Sequence, residues 1–255
     1  MILDRRIEGS VLILTLNRPE QRNALSPELV VALSSALGEA KADDDVRAVI
    51  LTAAGDRAFC AGMDLKAFAE SGGVRRDPAE MADFTEFSRG EFPKPMIAAV
   101  NATAVAGGFE LVLNCDLVVT SDQAKFGIPE VKRGLYAAGG GYTLPARIPL
   151  AVALELGMTG DTIDAERALA LGLVNRVVPA DQVVPTALLL AARIGENGPL
   201  GVAVTKKLMR TVVQNGIDAA RERAGENHEL VFKSQDAIEG ARAFAEKRAP
   251  QWTGK

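Results

Sequence analysis

Apolar positions in the first part of the chain fall into short, nearly continuous runs, whereas those near its end recur at helical spacing. Val11-Leu12-Ile13-Leu14-Thr15-Leu16 follows the turn-forming Glu8-Gly9-Ser10, so residues 2–16 predict two strands joined by a tight turn. Residues 47–52 and 95–100 carry the apolar run of strands buried on both faces of a parallel sheet. Ser26-Pro27-Glu28 opens a helix with an N-cap, a proline at the first helical position and an acid suited to the positive helix end. That helix is expected to run to about Lys41, with Asp43–Asp45 supplying the turn, and a further helix is read over Gly107–Asn114. Strand signal returns at residues 116–120 and 172–178. After Pro179 only helical patterns remain, over residues 185–197, 199–214, 216–233 and 235–247.

Strand, helix and strand in alternation predict an α/β fold. The change after Pro179 places a boundary near residue 195, with an α/β core over 1–195 and a helical region over 196–255. Gly72-Gly73 and the charged stretch to about Glu91 are expected to be the most mobile part of the core. No internal repeat or low-complexity segment interrupts this plan.

Composition narrows the function. With 255 residues and 48% hydrophobic content the chain can bury a sizeable interior. Its net charge of −4, from 29 basic and 33 acidic residues, points away from a nucleic-acid partner. An anionic ligand must then be met by locally placed groups. The start lacks the order of a secretory signal, and apolar runs such as 96–100 or 187–192 are too short to span a bilayer. Two cysteines, Cys60 and Cys115, make no disulfide framework. The expectation is a cytoplasmic protein without a membrane partner. The single histidine, His228, sits among Glu226, Asn227 and Glu229 on what reads as an exposed helix, which disfavours a Ser-His-Asp hydrolase and a multi-histidine metal site. Proton chemistry is left to carboxylates.

Three small-residue clusters precede helical patterns: Cys60-Ala61-Gly62-Met63-Asp64, Ala104-Val105-Ala106-Gly107-Gly108 and Ala137-Ala138-Gly139-Gly140-Gly141. None fits the dinucleotide fingerprint or the phosphate loop. Free amides at helix starts can nonetheless hold negative charge, including a transient oxyanion, and two clusters giving one N–H each would polarise a carbonyl. Glu110 stands three residues after Gly107, and Glu130 follows Pro129. Acids at helix starts ordinarily serve the dipole, worth ~0.3–1 kcal/mol, and spacing alone does not bring these two together.

Taken in order, Leu16-Asn17-Arg18-Pro19, Arg22-Asn23-Ala24-Leu25, Ala58-Phe59-Cys60-Ala61-Gly62-Met63-Asp64-Leu65, residues 93–101, Gly107-Gly108-Phe109-Glu110-Leu111, Cys115-Asp116, Phe126-Gly127-Ile128-Pro129-Glu130 and Gly172-Leu173-Val174-Asn175 carry a more specific signal. The chain resembles the enoyl-CoA hydratase/isomerase (crotonase) superfamily, hydratase-like branch, over essentially its whole length. The resemblance implies a crotonase-like spiral of ββα units with a C-terminal helical oligomerisation region, assembled as a homotrimer or a dimer of trimers. It implies an acyl-CoA thioester substrate, no metal and no separate cofactor, because coenzyme A is part of the substrate.

Residue by residue, the resemblance makes Glu110 and Glu130 the catalytic carboxyls and the amides of Met63 and Gly107 the oxyanion hole. Arg22, Ala24, Ala61, Gly62, Asp64, Leu65, Gly108 and Ala138 would meet the thioester, its coenzyme A portion or the water, Asp64 either touching substrate or orienting its loop. Phe244 and Lys247 would reach a neighbouring subunit's nucleotide. Both carboxyls retained implies water chemistry: reversible addition of water across the 2,3 double bond of an enoyl-CoA. The helix start is expected to favour ionised Glu110, while repulsion and burial raise the pKa of one member of the pair. Glu130 is read as the proton source for the α-carbon, although the sequence leaves open which carboxyl is acid and which base.

Leu135-Tyr136-Ala137-Ala138-Gly139-Gly140-Gly141 departs from the Pro-Gly-Ala-Gly-Gly-Thr-Gln-Arg of familiar fatty-acid hydratases, so the pocket wall at Tyr136 is expected to differ. The ending from Ser234 to Gly240, with Phe244-Ala245-Glu246-Lys247-Arg248, is similar to the carnitinyl-CoA dehydratase branch, as is Ala106–Leu111. That branch is the alternative reading, beside a Δ3,Δ2-enoyl-CoA isomerase and a non-catalytic acyl-CoA binder. Cys60 is read as a small space-filler.

Overall fold

The computed structural model describes residues 1–65 and 77–255; Gly72-Gly73 of the stretch expected to be mobile lie outside the described residues. In chain order the strands are β1 Leu3–Glu8, β2 Val11–Leu16, β3 Ala48–Ala53, β4 Met96–Val100, β5 Ala104–Val105, β6 Leu117–Ser121, β7 Lys125–Gly127, β8 Thr162–Asp164 and β9 Arg176–Val178. The described α-helices are α1 Pro27–Ala42, α2 Ala82–Ser88, α3 Gly107–Asn114, α4 Leu150–Thr159, α5 Ala165–Ala170, α6 Val183–Gly195, α7 Pro199–Asn215, α8 Ile217–Phe232 and α9 Gln235–Glu246.

One six-stranded sheet runs β1-β2-β3-β4-β6-β9. The β1–β2 hairpin is antiparallel, with Leu3 opposite Leu16 and Glu8 opposite Val11, and every later pairing is parallel. All residues of β3 and β4 are buried, as their unbroken apolar runs require of strands covered on both faces. One face packs Leu14, Val49, Leu51 and Ala98 against α1 and α3 residues such as Leu33, Leu37, Phe109 and Val112. The other packs Ile13, Ile50, Ile97 and Val119 against Val183, Ala187 and Ala191 of α6. Helix α1 starts where its cap predicts, the Ser26 hydroxyl accepting the Leu29 amide at 3.3 Å.

Parallel β2, β3 and β4 all end at the same edge, so the loops that follow them emerge together, the edge where open α/β sheets hold ligands. Those loops carry three of the motif segments, and a second, smaller sheet knits them. It runs β5-β7-β8 and is extended by isolated bridges from Cys60 to Ala104 and from Met63 to Leu25. Strands of two or three residues are too short to show alternation, which is why the sequence pattern does not predict this sheet; nor does it predict α4 and α5. The strand expected over 172–178 is only Arg176–Val178. Gly172, at φ +76°, and Leu173 return their amides to the carbonyls of Leu169 and Ala168 and close α5, so the strand begins only after this turn.

A buried asparagine staples the first loop. Asn23, fully buried at φ +54°, accepts the Arg18 amide at 2.9 Å and donates to the carbonyls of Ala54 and Ala58, both at 2.9 Å. Asn23→Ala removes all three bonds and leaves two carbonyls unmet, at about 1 kcal/mol per bond or more, so a loss of about 2–4 kcal/mol is expected. Urea unfolding should show a lower midpoint with unchanged slope; an unmoved midpoint would mean that the staple contributes nothing.

The last helices approach the core through an ion pair cluster. Asp116, at the start of β6, accepts Lys206 at 2.6 Å and Arg210 at 2.8 Å, both from α7. A cleft of about 1430 Å³ separates α7 and α9 from core loops, lined among others by Asn114, Tyr142, Leu200, Met209 and Gly240. No described helix is long and apolar enough to cross a membrane.

Candidate active site

The site is built from two chain segments that cross. Residues 59–64 are held by main-chain bonds on both sides, Phe59 donating to Thr103 at 2.9 Å, Val105 to Cys60 at 3.1 Å and Leu25 to Gly62 at 2.8 Å. This segment therefore lies between residue 25 and β5. From β5 the chain turns through Ala106 into α3. Ala106 has φ +52° and ψ −132°, a conformation that costs on the order of 1–3 kcal/mol for a residue with a Cβ. The turn aims the start of α3 at the 59–64 segment.

Three contacts show how near the two come. A Cβ on Gly62 would sit 3.0 Å from the Gly107 amide nitrogen, and one on Gly107 would sit 3.6 Å from the Met63 amide nitrogen. Gly108 packs flat on Cys60, where a Cβ would lie 2.7 Å from the Cys60 carbonyl carbon and closer still to its oxygen. Small residues here make room for backbone, and backbone is what gathers: the amides of Met63 and Gly107 lie side by side, and neither donates to another group among the described residues. Gly107 is also the first residue of α3, where helix amides have no intrahelical acceptor and the dipole is positive.

Glu110 stands one turn further along α3, 7% exposed. Its Oε1 accepts the Gly141 amide at 2.9 Å, and Gly139 supplies a second main-chain donor. Gly139 is packed so closely that a Cβ there would lie 3.0 Å from the Glu110 carboxyl carbon. Burial nevertheless dominates and raises the Glu110 pKa above its ordinary 4.5, the two amides opposing it. Whatever the helix start contributes toward ionised Glu110, desolvation sets the net direction. Glu130 lies in the 3₁₀ turn Pro129–Arg133 that follows β7. Its pKa is also raised, first by burial and further by the charge of Glu110. Its Oε2 is buried and has no hydrogen-bond partner among the described residues. Both members of the pair are shifted upward, where the sequence reading expected one.

Asp64 is tied to Arg18 by an ion pair of 3.0 Å, and Arg18 also donates to the Ala24 carbonyl at 2.6 Å. With the Asp64 amide on the Leu25 carbonyl, this locks the loop carrying Met63 to the loop carrying Arg22 and Ala24. Ala61 donates to the Arg22 carbonyl at 3.1 Å. Leu65 and Ala138 are exposed, as is the Arg22 side chain. Phe244 and Lys247 lie at the end of α9, and no hydrogen bond or ion pair among the described residues joins either to these loops. Cys60 is fully buried and its thiol is pushed up to about 12 by burial. His228 stacks on Phe232 at 4.4 Å on α8, away from these loops in sequence and element.

Sequence reasoning missed three parts of this machinery: the Gly139 and Gly141 amides as the holders of Glu110, Arg18 as the partner of Asp64, and Asn23 as the loop staple. A glycine doublet or a motif asparagine signals a special backbone need, but not which distant group it serves.

The chain matches the family model described as Enoyl-CoA hydratase/isomerase over residues 6–255, and it belongs to that family. It is 39% identical to the carnitinyl-CoA dehydratase of Proteus mirabilis (strain HI4320), with 97% of this chain and 96% of that protein covered. Among solved structures it is similar to an enoyl-CoA hydratase from Mycobacterium tuberculosis H37Rv, at 43% identity and a TM-score of 0.91, covering 100% of this chain and 99% of that one. A probable enoyl-CoA hydratase/isomerase from Mycobacterium abscessus is 46% identical, with a TM-score of 0.90 and coverage of 100% and 99%. The mixed α/β architecture with its C-terminal helices is the crotonase fold.

Proposed function

We propose that this chain is an enoyl-CoA hydratase, a hydro-lyase that reversibly adds water across the 2,3 double bond of an enoyl-CoA thioester. The observation that carries this reading is the placement of a buried carboxyl, Glu110, beside a half-buried one, Glu130, whose pKa its charge raises, near a pair of free main-chain amides. In this reading the thioester oxygen lies between the Met63 and Gly107 amides. Charge that scarcely exists in the substrate builds there as the enolate forms, and such a donor is worth ~2.7–4 kcal/mol.

One carboxylate takes a proton from water as the water oxygen bonds to C3. The π electrons shift through C2 to the thioester oxygen, and the other carboxyl returns a proton to C2. Glu130, with a buried oxygen that has no partner among the described residues, is the proposed proton source, and Glu110, held by Gly139 and Gly141, the proposed base. Coenzyme A arrives as part of the substrate, and Phe244 and Lys247 of one subunit serve the nucleotide bound by its neighbour in a trimer or a dimer of trimers. Sedimentation reads that assembly, and a monomer would sink the shared nucleotide site.

A second reading has its own support. The relatives named carnitinyl-CoA dehydratase cover nearly the whole chain, so the acyl group would then be crotonobetainyl. Loss of the enoyl absorbance across a chain-length series that includes crotonobetainyl-CoA separates the two. No loss with any enoyl thioester would overturn both.

The raised pKa values give the pH dependence a sign. Each carboxyl binds its proton more tightly folded than unfolded, so each costs stability above its raised folded value. That cost disappears as pH falls through this value toward the unfolded 4.5. Glu130→Gln is therefore expected to be at least as stable as the parent at neutral pH, the two converging in acid. In Glu110→Gln, the Glu130 carboxyl should titrate at lower pH than in the parent, because the neighbouring charge is gone and burial is the one raising cause left. Carboxyl carbon NMR reads this directly; an unmoved titration would mean that the two groups are not coupled.

A further inference from the structure

Helix α9 carries Phe244, 88% exposed, and ends at Lys247 in the left-handed conformation. It has little packing of its own: α8 is its main neighbour among the described elements, and the 1430 Å³ cleft runs along its inner side at Ala237, Gly240 and Ala241. What fastens it is the segment 251–255, which doubles back over the helix.

The buried carboxylate of Asp236, in the first turn of α9, accepts the Thr253 amide at 2.7 Å, the Thr253 hydroxyl at 3.0 Å and the Gly254 amide at 2.9 Å. The Asp236 amide in turn donates to the Lys255 carbonyl at 3.1 Å. Between these bonds and the rest of the protein stands Trp252, the only tryptophan. Its indole N–H donates to the Glu196 carbonyl at 2.8 Å, in the turn between α6 and α7. Its ring lies against two glycines, where a Cβ on Gly240 of α9 would be 3.2 Å away and one on Gly198 before α7 would be 3.6 Å away. Its carbonyl accepts Arg47, just ahead of β3, at 3.4 Å. Glu239 of α9 completes the arrangement, accepting the Gln251 amide at 2.8 Å while Arg248 grips both its oxygens at 2.6 and 3.0 Å.

We propose that residues 251–255 form a clasp that sets the position of α9, with Trp252 and Asp236 as positioning residues for the nucleotide end of the thioester. This rests on the reading above, in which Phe244 and Lys247 offer an aromatic face and a cation to the adenine and phosphates of a neighbour's coenzyme A. The lever is geometric. Phe244 lies about 12 Å along the helix from Asp236, so a tilt of about 10° at the clasp displaces it by ~2 Å.

The experiment compares crotonyl-CoA with crotonyl-pantetheine, which has the same reacting group and no nucleotide. With Trp252→Ala, KM for crotonyl-CoA is expected to rise about tenfold while kcat stays within about twofold, and both constants for crotonyl-pantetheine are unchanged. Thr253→Ala, which removes one bond to Asp236, should shift KM the same way by less, and Trp252→Phe should restore most of the loss because the ring contacts remain. Equal changes on both thioesters, or no change on either, would overturn the clasp. Calorimetric titration with coenzyme A and with pantetheine separates this proposal from the hydration reading. A parent that binds coenzyme A more tightly than Trp252→Ala does, yet hydrates no enoyl thioester, would sink the hydration chemistry and leave the clasp standing.

Discussion

Glu130→Gln is expected to lower kcat for enoyl-thioester hydration by about 10²–10⁴-fold, the usual range for a placed acid–base group, with thioester affinity within about threefold of the parent. Glutamine matches the carboxyl in size but cannot deliver or take the proton. Position 130 is the cleaner of the two, because the buried Oε2 there has no partner to lose among the described residues. Glu110→Gln should show a loss of the same order. It also sets an amide NH₂ against one of the two main-chain donors, Gly139 or Gly141, that now face the carboxylate. A side effect on loop position is therefore expected at 110 and not at 130. Stopped-flow or steady-state hydration assays with a direct thioester titration separate turnover from binding. Near-parent turnover by either variant would remove the two-carboxylate mechanism.

The second large effect belongs to Gly108. By helix propensity alone, alanine inside α3 would stabilise by ~1 kcal/mol. Packing reverses the sign, because the new Cβ would fall 2.7 Å from both the carbonyl carbon and the Cβ of Cys60. Neither side can yield easily. Cys60 is fully buried, is bridged to Ala104 and accepts the Val105 amide. Overpacking of this kind costs about 1–3 kcal/mol. The strain is relieved by spreading α3 from the 59–64 segment, which separates the amides of Met63 and Gly107. A misplacement of about 1 Å at a reacting centre can cost ~10²-fold in rate. Gly108→Ala should therefore show both a lower thermal midpoint and a loss of activity beyond what reduced folding explains. Gly225→Ala, in open space within α8, is the control and should raise the midpoint slightly. A Gly108→Ala protein as stable and active as the parent would mean that the two segments are not held at the separation described.

Legibility in the sequence followed the range of the interaction. The long buried strands β2, β3 and β4, the Ser26 cap and helices α6 to α9 are written in local patterns, apolar runs, a capping side chain or helical periodicity. Those patterns act over a few residues, so a short window holds all the information. Strand β9 shows the limit: the apolar residues Leu173 and Val174 read as strand but close a helix, because the hydrogen bonds from Gly172 and Leu173 back to α5 decide the turn.

The site divides the same way. The motif residues around Met63, Gly107, Glu110 and Glu130 were recognisable as segments, and the glycines among them announced unusual backbone. That Gly62 abuts Gly107, that Gly139 and Gly141 hold Glu110, and that Glu130 feels the charge of Glu110 were decided only when β5, β7 and the parallel strand ends met. The protonation tendency of Glu110 is the sharpest case. Sequence position offers only the helix dipole, whereas the field at a carboxyl depends on how much water the whole fold removes from around it. The clasp of residues 251–255 is similar, since Trp252 meets Arg47, the Glu196–Gly198 turn and Gly240 from three separate places in the chain. Periodicity and capping are properties of neighbours along the backbone; desolvation, charge coupling and close backbone approach are properties of neighbours in space, and only the tertiary structure supplies those.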